Sequence, residues 1–393
     1  YEIEIEIIKD KKQKKETYQS FRQAIKYVLS GLQQSNYPIS YREMKQISHE
    51  YLILLHGVNQ KRDTTSRDFA GPSSISLEIP NIMDKDSDIP NIRQPYTVTD
   101  KADGMRKLLY ISKNGKIYLL DTNMNVLFTG CIALNHFDTL IDGEHVIHDK
   151  NGNYINRFLA FDLYYEKKED WRIYPFTYIE ELKYDINIDT NKFRLTKLHK
   201  VIHDLKMKSV LGDGHKIPLS IVLKKFYPST GENVFVNAGT IYKTFEDDMF
   251  DYEIDGLIFT PIDKSVGSNK LGEKIAPYKK TWNRSFKWKP KEYNTVDFLV
   301  TTKKNKDGTD FIGNIFQEGE NTKVTTQLTQ YKVLILRVGY DEKKHGYINP
   351  CEHVIQNTLP QRTRRENSYK PRPFMPPGDK EAYLCNIIVD ENT

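Results

Sequence analysis

Apolar residues near the start of the chain recur at helical spacing, and further on they alternate. Tyr18, Phe21, Ala24, Ile25, Val28 and Leu29 fall three or four positions apart. That spacing predicts a helix over residues 15–34, with a second over 40–56. Ahead of them, Tyr1 to Ile7 alternate strictly, so residues 1–8 predict a strand with Glu2, Glu4 and Glu6 on one face. Residues 59–95 are rich in Asp, Ser, Pro and Asn and predict loops with short strands. From Tyr96 to Pro290 strands dominate, with helical stretches near 192–209 and 220–226. The Gly- and Lys-rich stretch 267–280 predicts a mobile loop. Thr295–Thr301 and Tyr331–Val338 predict further strands, and the Pro-rich tail from Tyr369 to Gly378 an extended segment. No internal repeat is visible.

Composition narrows the class. A chain of 393 residues predicts two or three domains. Its net charge of +5 with 28% charged residues is too modest for a histone-like polycation. Basic runs are local: Lys9 to Lys15, Lys303 to Lys306, and Arg362 to Arg365 are candidates for RNA contact. Cys131, Cys351 and Cys385 are three in number and form no C-x-x-C pair, which argues against a cysteine zinc site and suits a reducing compartment. No run of 18 apolar residues occurs, so no membrane span is predicted.

The densest chemistry lies at Lys101-Ala102-Asp103-Gly104, straight after the alternating run Tyr96–Lys101. A lysine there ends a strand, with its amine above the sheet. Four more segments follow in order: Leu140-Ile-Asp142-Gly143-Glu144, Arg157-Phe-Leu-Ala-Phe161-Asp162, Tyr252-Glu-Ile-Asp255-Gly256, and Ser285-Phe-Lys287-Trp288-Lys289-Pro290. Each sets charge beside an apolar, strand-like run. Asp142 and Asp162 read as turn caps, and Phe161 reads either as core or as a stacking ring. Lys287 and Lys289, two apart on a strand, share a face.

This ordered series resembles the covalent nucleotidyltransferases: DNA ligases, RNA ligases and mRNA capping enzymes. Phe286-Lys287-Trp288-Lys289-Pro290 is similar to the capping form. So are Phe69-Ala-Gly71-Pro72, ahead of the lysine strand, and Arg106, just after the lysine. The resemblance implies an α+β fold, a nucleotidyltransferase domain of ATP-grasp-like antiparallel sheets followed by an OB-fold β-barrel lid. It implies a guanylyltransferase, with Lys101 the covalent nucleophile and GTP and 5′-diphosphate RNA as substrates. Arg106 would hold the ribose and Phe161 stack on guanine. Lys287 and Lys289 would grip the α-phosphate. Asp255 and Glu144 would face Mg2+ or Mn2+, with Glu144 turned to the metal alone or shared with the ribose. An ATP-dependent polynucleotide ligase and a catalytically silent RNA-binding or docking module are the alternatives.

Such a nucleophile needs help. Only about one part in a few thousand of an ordinary lysine is deprotonated at pH 7, and nearby positive charge or desolvation would raise that share. Lys287, Lys289 and a bound metal are the candidates for that charge. Asp103 is assigned to the turn.

The row Glu2, Glu4, Glu6 is either a solvated edge strand or a set of metal ligands, since three like charges repel and a hard cation relieves them. Beside a capping enzyme it resembles the last strand of a tunnel-shaped RNA triphosphatase of large DNA viruses. The expected organisation is therefore that strand over 1–10, a helical connector over 11–65, the nucleotidyltransferase over 66–290, and an incomplete lid over 291–393. A lid motif of the Arg-x-Asp-Lys type is not found. Gly378-Asp379-Lys380 lacks the arginine and Arg362 to Arg365 lack the Asp-Lys, so the chain reads as a piece that stops inside its lid. The resemblance further implies linked triphosphatase and methyltransferase domains and a cytoplasmic viral factory or virion as the location.

Overall fold

In the computed structural model, residues 3–6, 14–57, 61–83, 89–180, 192–273, 278–293, 295, 297–316, 328–338, 372–376 and 378–389 are described. The chain divides into two units, Tyr1–Tyr293 and Asn294–Thr393.

The two predicted helices are α1 (Lys14–Gln33) and α2 (Tyr41–His56). Ser40 caps α2 by accepting from the Glu43 N–H, and Gly57 ends it in the left-handed region, as cap chemistry requires. Helix α2 packs into the first unit. Its Ile47, Tyr51, Leu52 and Leu55 are buried, and Tyr51 Oη donates to the Asp68 carbonyl while accepting from the Ala70 N–H.

The strands of the first unit are β1 (Ser73–Ser76), β2 (Tyr96–Ala102), β3 (Met105–Ile111), β4 (Lys116–Asp121), β5 (Val126–Ala133), β6 (Thr139–His148), β7 (Tyr154–Glu166) and β8 (Glu169–Asp170). Then come α3 (Arg194–Asp204), β9 (Met207–Ser209), β10 (Ser220–Leu223), β11 (Tyr227–Ser229), α4 (Asn233–Glu246), β12 (Ile254–Pro261) and β13 (Thr281–Trp288). One sheet runs β1-β13-β12-β2-β11, the other β10-β7-β6-β3-β4-β5-β9 with β8 on β7. Pairing is antiparallel except for β1 with β13 and β10 with β7. This is the expected α+β architecture of antiparallel sheets.

Both faces of the second sheet are covered, so its strands read as near-continuous apolar runs. Leu108, Tyr110, Tyr118 and Tyr164 pack with Tyr51 and Leu55 of α2. Leu109, Ile111, Ile141 and Phe158 pack with Leu195, Leu198 and Val201 of α3. In the first sheet Tyr96, Val98, Leu257, Phe259 and Phe286 pack with Val234 and Ile241 of α4.

Three expectations fail in this unit. Residues 220–226 are not helical: β10 lies parallel to β7 there, and the β-branched Ile221 and Val222 suit a strand. Helix α4 is not announced by the sequence, because Gly239 and the β-branched Val234, Val236, Thr240 and Ile241 weaken its helical signal. Residues 3–6 form no strand and are exposed; no neighbouring strand among the described residues holds them extended. Glu2 and part of the basic run from Lys9 lie outside the described residues, as do 274–277 of the loop expected over 267–280.

The second unit is a five-stranded antiparallel sheet in which β16 (Leu328–Val338) pairs with β14 (Leu299–Thr302), β15 (Ile312–Phe316), β17 (Arg372–Pro373) and β18 (Leu384–Ile388). The strands predicted after Pro290 are thus present. Lys304 of the second basic run is tied to Asp310 at 2.5 Å. Arg362 to Arg365 and Cys351 lie outside the described residues.

Candidate active site

The chain leaves the first sheet at the end of β2 and enters the second at β3, with only Asp103-Gly104 between. Lys101 therefore stands where the two sheets part. Asp103 supports that turn through its backbone N–H, which donates to the Glu253 carbonyl at 2.8 Å. Gly104 is required by space: a Cβ there would sit 2.9 Å from both Glu144 Cγ and the His145 carbonyl. In the second Asp-Gly pair, Gly256 takes φ +151°, and its Cβ would fall 1.9 Å from the Trp288 carbonyl. The turn-like residues in these motifs thus allow backbones to approach closely.

Asp255, in β12, is the hub. Its Oδ1 lies 2.6 Å from Lys101 Nζ and its Oδ2 2.6 Å from Lys289 Nζ. The carboxylate is buried while the two amines keep some exposure, 22% and 31%. Burial alone would raise the Asp255 carboxyl. The hydrogen bonds and charges of Lys101 and Lys289 outweigh it and hold the group below its usual range. Lys287, two residues before Lys289 in β13, is exposed and forms no ion pair among the described residues.

Arg106 is the second anchor. Its Nε and Nη2 reach the two oxygens of Asp142 at 3.1 and 2.5 Å, and Nη1 donates to the Pro72 carbonyl at 2.6 Å. The guanidinium carbon lies 5.6 Å from the ring centre of Phe69 and 5.7 Å from that of Phe161. Phe161 is only partly buried, so its ring is not core. Asp142 is fully buried in β6 and also accepts from Tyr164 Oη. It is therefore no turn cap, and neither is Asp162, which is buried in β7 and paired with Arg194 at 2.8 Å. Asp-Gly and Asp-Leu carry turn chemistry as dipeptides, but here their charges are satisfied by arginines from other elements.

Glu144 stands opposite Arg106 in the β3–β6 pair. Burial pushes its carboxyl up to about 7, and the charges of Lys224 and Arg106 offset this only in part. Lys224 is the functional neighbour that sequence reasoning misses. It is buried, bonded to the Asp100 carbonyl at 2.5 Å and to Asp100 Oδ2 at 2.9 Å, with Tyr252 Oη on the same carboxylate at 3.1 Å. This network fixes the residue before Lys101. In sequence Lys224-Lys225 reads as an ordinary solvated pair, so nothing marks it.

Asp255 and Glu144 offer hard oxygen donors. Among the described residues, however, no group of three or more His, Cys, Asp or Glu could hold a metal ion. Such a donor set fits an ion that brings phosphate oxygens and water as most of its shell, the habit of Mg2+, and not a cation caged by protein. Glu4 and Glu6 are exposed and join no metal-holding group among the described residues.

The arrangement sets the Lys101 amine beside a second cation at Asp255, with the Arg106 guanidinium near the rings of Phe69 and Phe161. Residues 42–291 match the family model "mRNA capping enzyme, catalytic domain". A probable mRNA-capping enzyme of Acanthamoeba polyphaga mimivirus is 26% identical over 383 residues, 90% of this chain and 30% of that protein. The mRNA-capping enzyme of Mus musculus is 26% identical over 293 residues, 70% of this chain and 42% of that protein. The mRNA-capping enzyme subunit alpha of Schizosaccharomyces pombe is 28% identical over 230 residues, 52% of this chain and 48% of that protein. The chain thus spans less than half the length of each of these curated relatives. With that match and this lysine-centred site, the chain belongs to the mRNA capping enzyme family.

Proposed function

We propose that this chain is an mRNA guanylyltransferase acting through Lys101. The Lys101 amine attacks the α-phosphorus of GTP. An N–P bond forms, the bond to the β-phosphate oxygen breaks, and pyrophosphate leaves. The terminal phosphate oxygen of a 5′-diphosphate RNA then attacks the same phosphorus, and the N–P bond breaks to free the lysine. The observation that carries this reading is the Lys101–Asp255–Lys289 bridge: it sets a partly exposed amine beside a second cation.

Lys289 shares Asp255 with Lys101 and keeps that carboxylate compensated when Lys101 turns to the phosphate. Lys287, exposed near the end of β13, would meet the α-phosphate oxygens. Arg106 commits three of its five N–H donors to Asp142 and Pro72, which leaves two for the ribose. Phe161 would stack on the base. A divalent cation held by Asp255 and Glu144 would neutralise charge on the leaving pyrophosphate.

The test is incubation with α-labelled GTP or ATP, followed by acid treatment of the protein. Acid-labile label from GTP is expected. Label from ATP alone would instead mark an ATP-dependent ligase, and label from neither would mark a silent module.

Glu144 gives a second expected outcome. At about 7 its carboxyl is half ionised near neutrality, so adduct formation should climb between about pH 6 and 8. Glu144→Gln should lose that climb and run roughly ten- to a hundredfold slower, the effect of one charge-assisted contact. Stability should move the other way. A carboxyl raised in the folded state binds more protons there than in the unfolded chain, so stability falls as pH rises from its ordinary value through about 7. Glu144→Gln should therefore melt higher than wild type near pH 8 and little differently near about pH 4.5. A variant with lower activity and an unchanged melting profile would contradict this account of Glu144.

The mimivirus relative, of which the chain covers 30%, supports reading the chain as one segment of a larger viral capping polypeptide; linked triphosphatase and methyltransferase domains and a cytoplasmic site of action belong to the same proposal. Glu2, Glu4 and Glu6 would belong to the triphosphatase, and the unit from Asn294 to an OB-fold lid. No helix among the described residues is long and apolar enough to cross a membrane.

A further inference from the structure

Successive residues of a strand face opposite sides, so Lys107 and His145 lie behind Arg106 and Glu144, on the other face of the second sheet. In the β3–β6 register Met105 stands opposite His145 and Lys107 opposite Gly143. Lys107 and His145 are thus diagonal neighbours on one face. Both are buried, at 9% and 3% exposure. Lys107 forms no ion pair among the described residues. Asp121, its cross-strand neighbour in β4, turns its carboxylate to the N–H groups of Asn123 and Asn125 and to Asn125 Nδ2.

His145 is oriented from the far side. Asn156 Nδ2 donates to the Pro218 carbonyl at 2.6 Å, which leaves Asn156 Oδ1 to accept from His145 Nε2 at 2.7 Å. The other ring nitrogen, Nδ1, is buried with no hydrogen-bond partner among the described residues. Burial disfavours the charged form of the Lys107 amine and holds it below its usual value, which the charge of Asp121 offsets only in part. Lys107, His145 and Asn156 line a cleft of about 1270 Å3 that also reaches Arg106, Asp121 and Tyr37.

We propose that Lys107 and His145 form a subsite for a phosphoryl oxyanion, on the opposite face of the sheet from the side chains of Arg106 and Glu144. An oxyanion supplies the close ion pair that Lys107 does not make among the described residues, where the charge of Asp121 only partly offsets its burial. A P–OH group can donate to a neutral Nδ1, or a protonated ring can donate to a fully ionised oxygen. The same chemistry is offered by a phosphate group on an RNA chain and by free phosphate. The size of the cleft, far larger than one phosphate ion, favours the RNA.

The test uses the full 393-residue chain as Lys101→Ala, so that no adduct forms, with 13C-labelled histidine rings, in the absence and in the presence of saturating GTP. The His145 signal is assigned by its loss in His145→Gln. Inorganic phosphate at constant ionic strength is expected to move that signal saturably, and Lys107→Met to weaken the response at least tenfold. A short 5′-phosphorylated oligoribonucleotide should act at lower concentration than phosphate if RNA is the source, and at higher concentration if free phosphate is. An unmoved signal with both probes, an equal response in Lys107→Met, or displacement by GTP would overturn the subsite. A melting measurement guards against a variant that fails to fold: phosphate should raise the Tm of the parent more than that of His145→Gln, and equal rises would count against the proposal.

Discussion

Lys101→Ala is expected to remove all GTP-derived label from the protein, a loss of at least about a thousandfold. The size follows from the role, since without the amine no N–P bond can form. No neighbour can readily substitute. Lys289 is held by the same carboxylate at 2.6 Å, and Lys287 projects from another strand. Lys101→Arg is the sharper variant. It retains a cation for Asp255, so the local ion pair and the fold should survive, yet arginine stays protonated and offers no nucleophile. Intact mass and autoradiography should therefore show no adduct in either variant, while circular dichroism and melting show a folded protein. Label that persists at wild-type level in Lys101→Arg would move the covalent site elsewhere.

How much of this site is legible in the sequence depends on whether a residue's partner is near it along the chain. Lys101, Glu144, Asp255, Lys287 and Lys289 sit in short motifs where a charge interrupts an apolar alternation, which marks them as candidates; of these the structure joins Lys101, Asp255 and Lys289. The bond between Lys101 and Asp255 spans 154 positions, and only sheet order brings them together. The same holds for Lys224, whose partner Asp100 lies 124 positions away. Asp142 and Asp162 mislead because aspartate carries turn chemistry locally, whereas the tertiary fold supplies arginine partners, half-buried Arg106 and buried Arg194. The antiparallel sheets follow from alternation and from apolar runs. Helix α4 does not, since its β-branched residues favour strand until packing against β2 decides the matter.

Asp142→Asn is expected to cost about 3–5 kcal/mol of stability, the usual penalty for removing one partner of a buried ion pair. Asp142 is fully buried, takes two bonds from Arg106 and one from Tyr164, and its loss strands the guanidinium. Melting should fall by on the order of 10 °C. Arg106→Lys should not preserve the site, because an ammonium cannot reproduce the forked contact to both carboxylate oxygens. The pair also bears on function: the guanidinium it orients lies between the rings of Phe69 and Phe161 and reaches back to the Pro72 carbonyl. The double variant Arg106→Met with Asp142→Leu separates the two roles. Apolar residues of similar size can replace a buried pair at little or no cost, so stability should return to near that of wild type while labelling with GTP stays low. Labelling that recovers together with stability would show that the pair only holds the sheet, and would release Arg106 from any part in nucleotide binding.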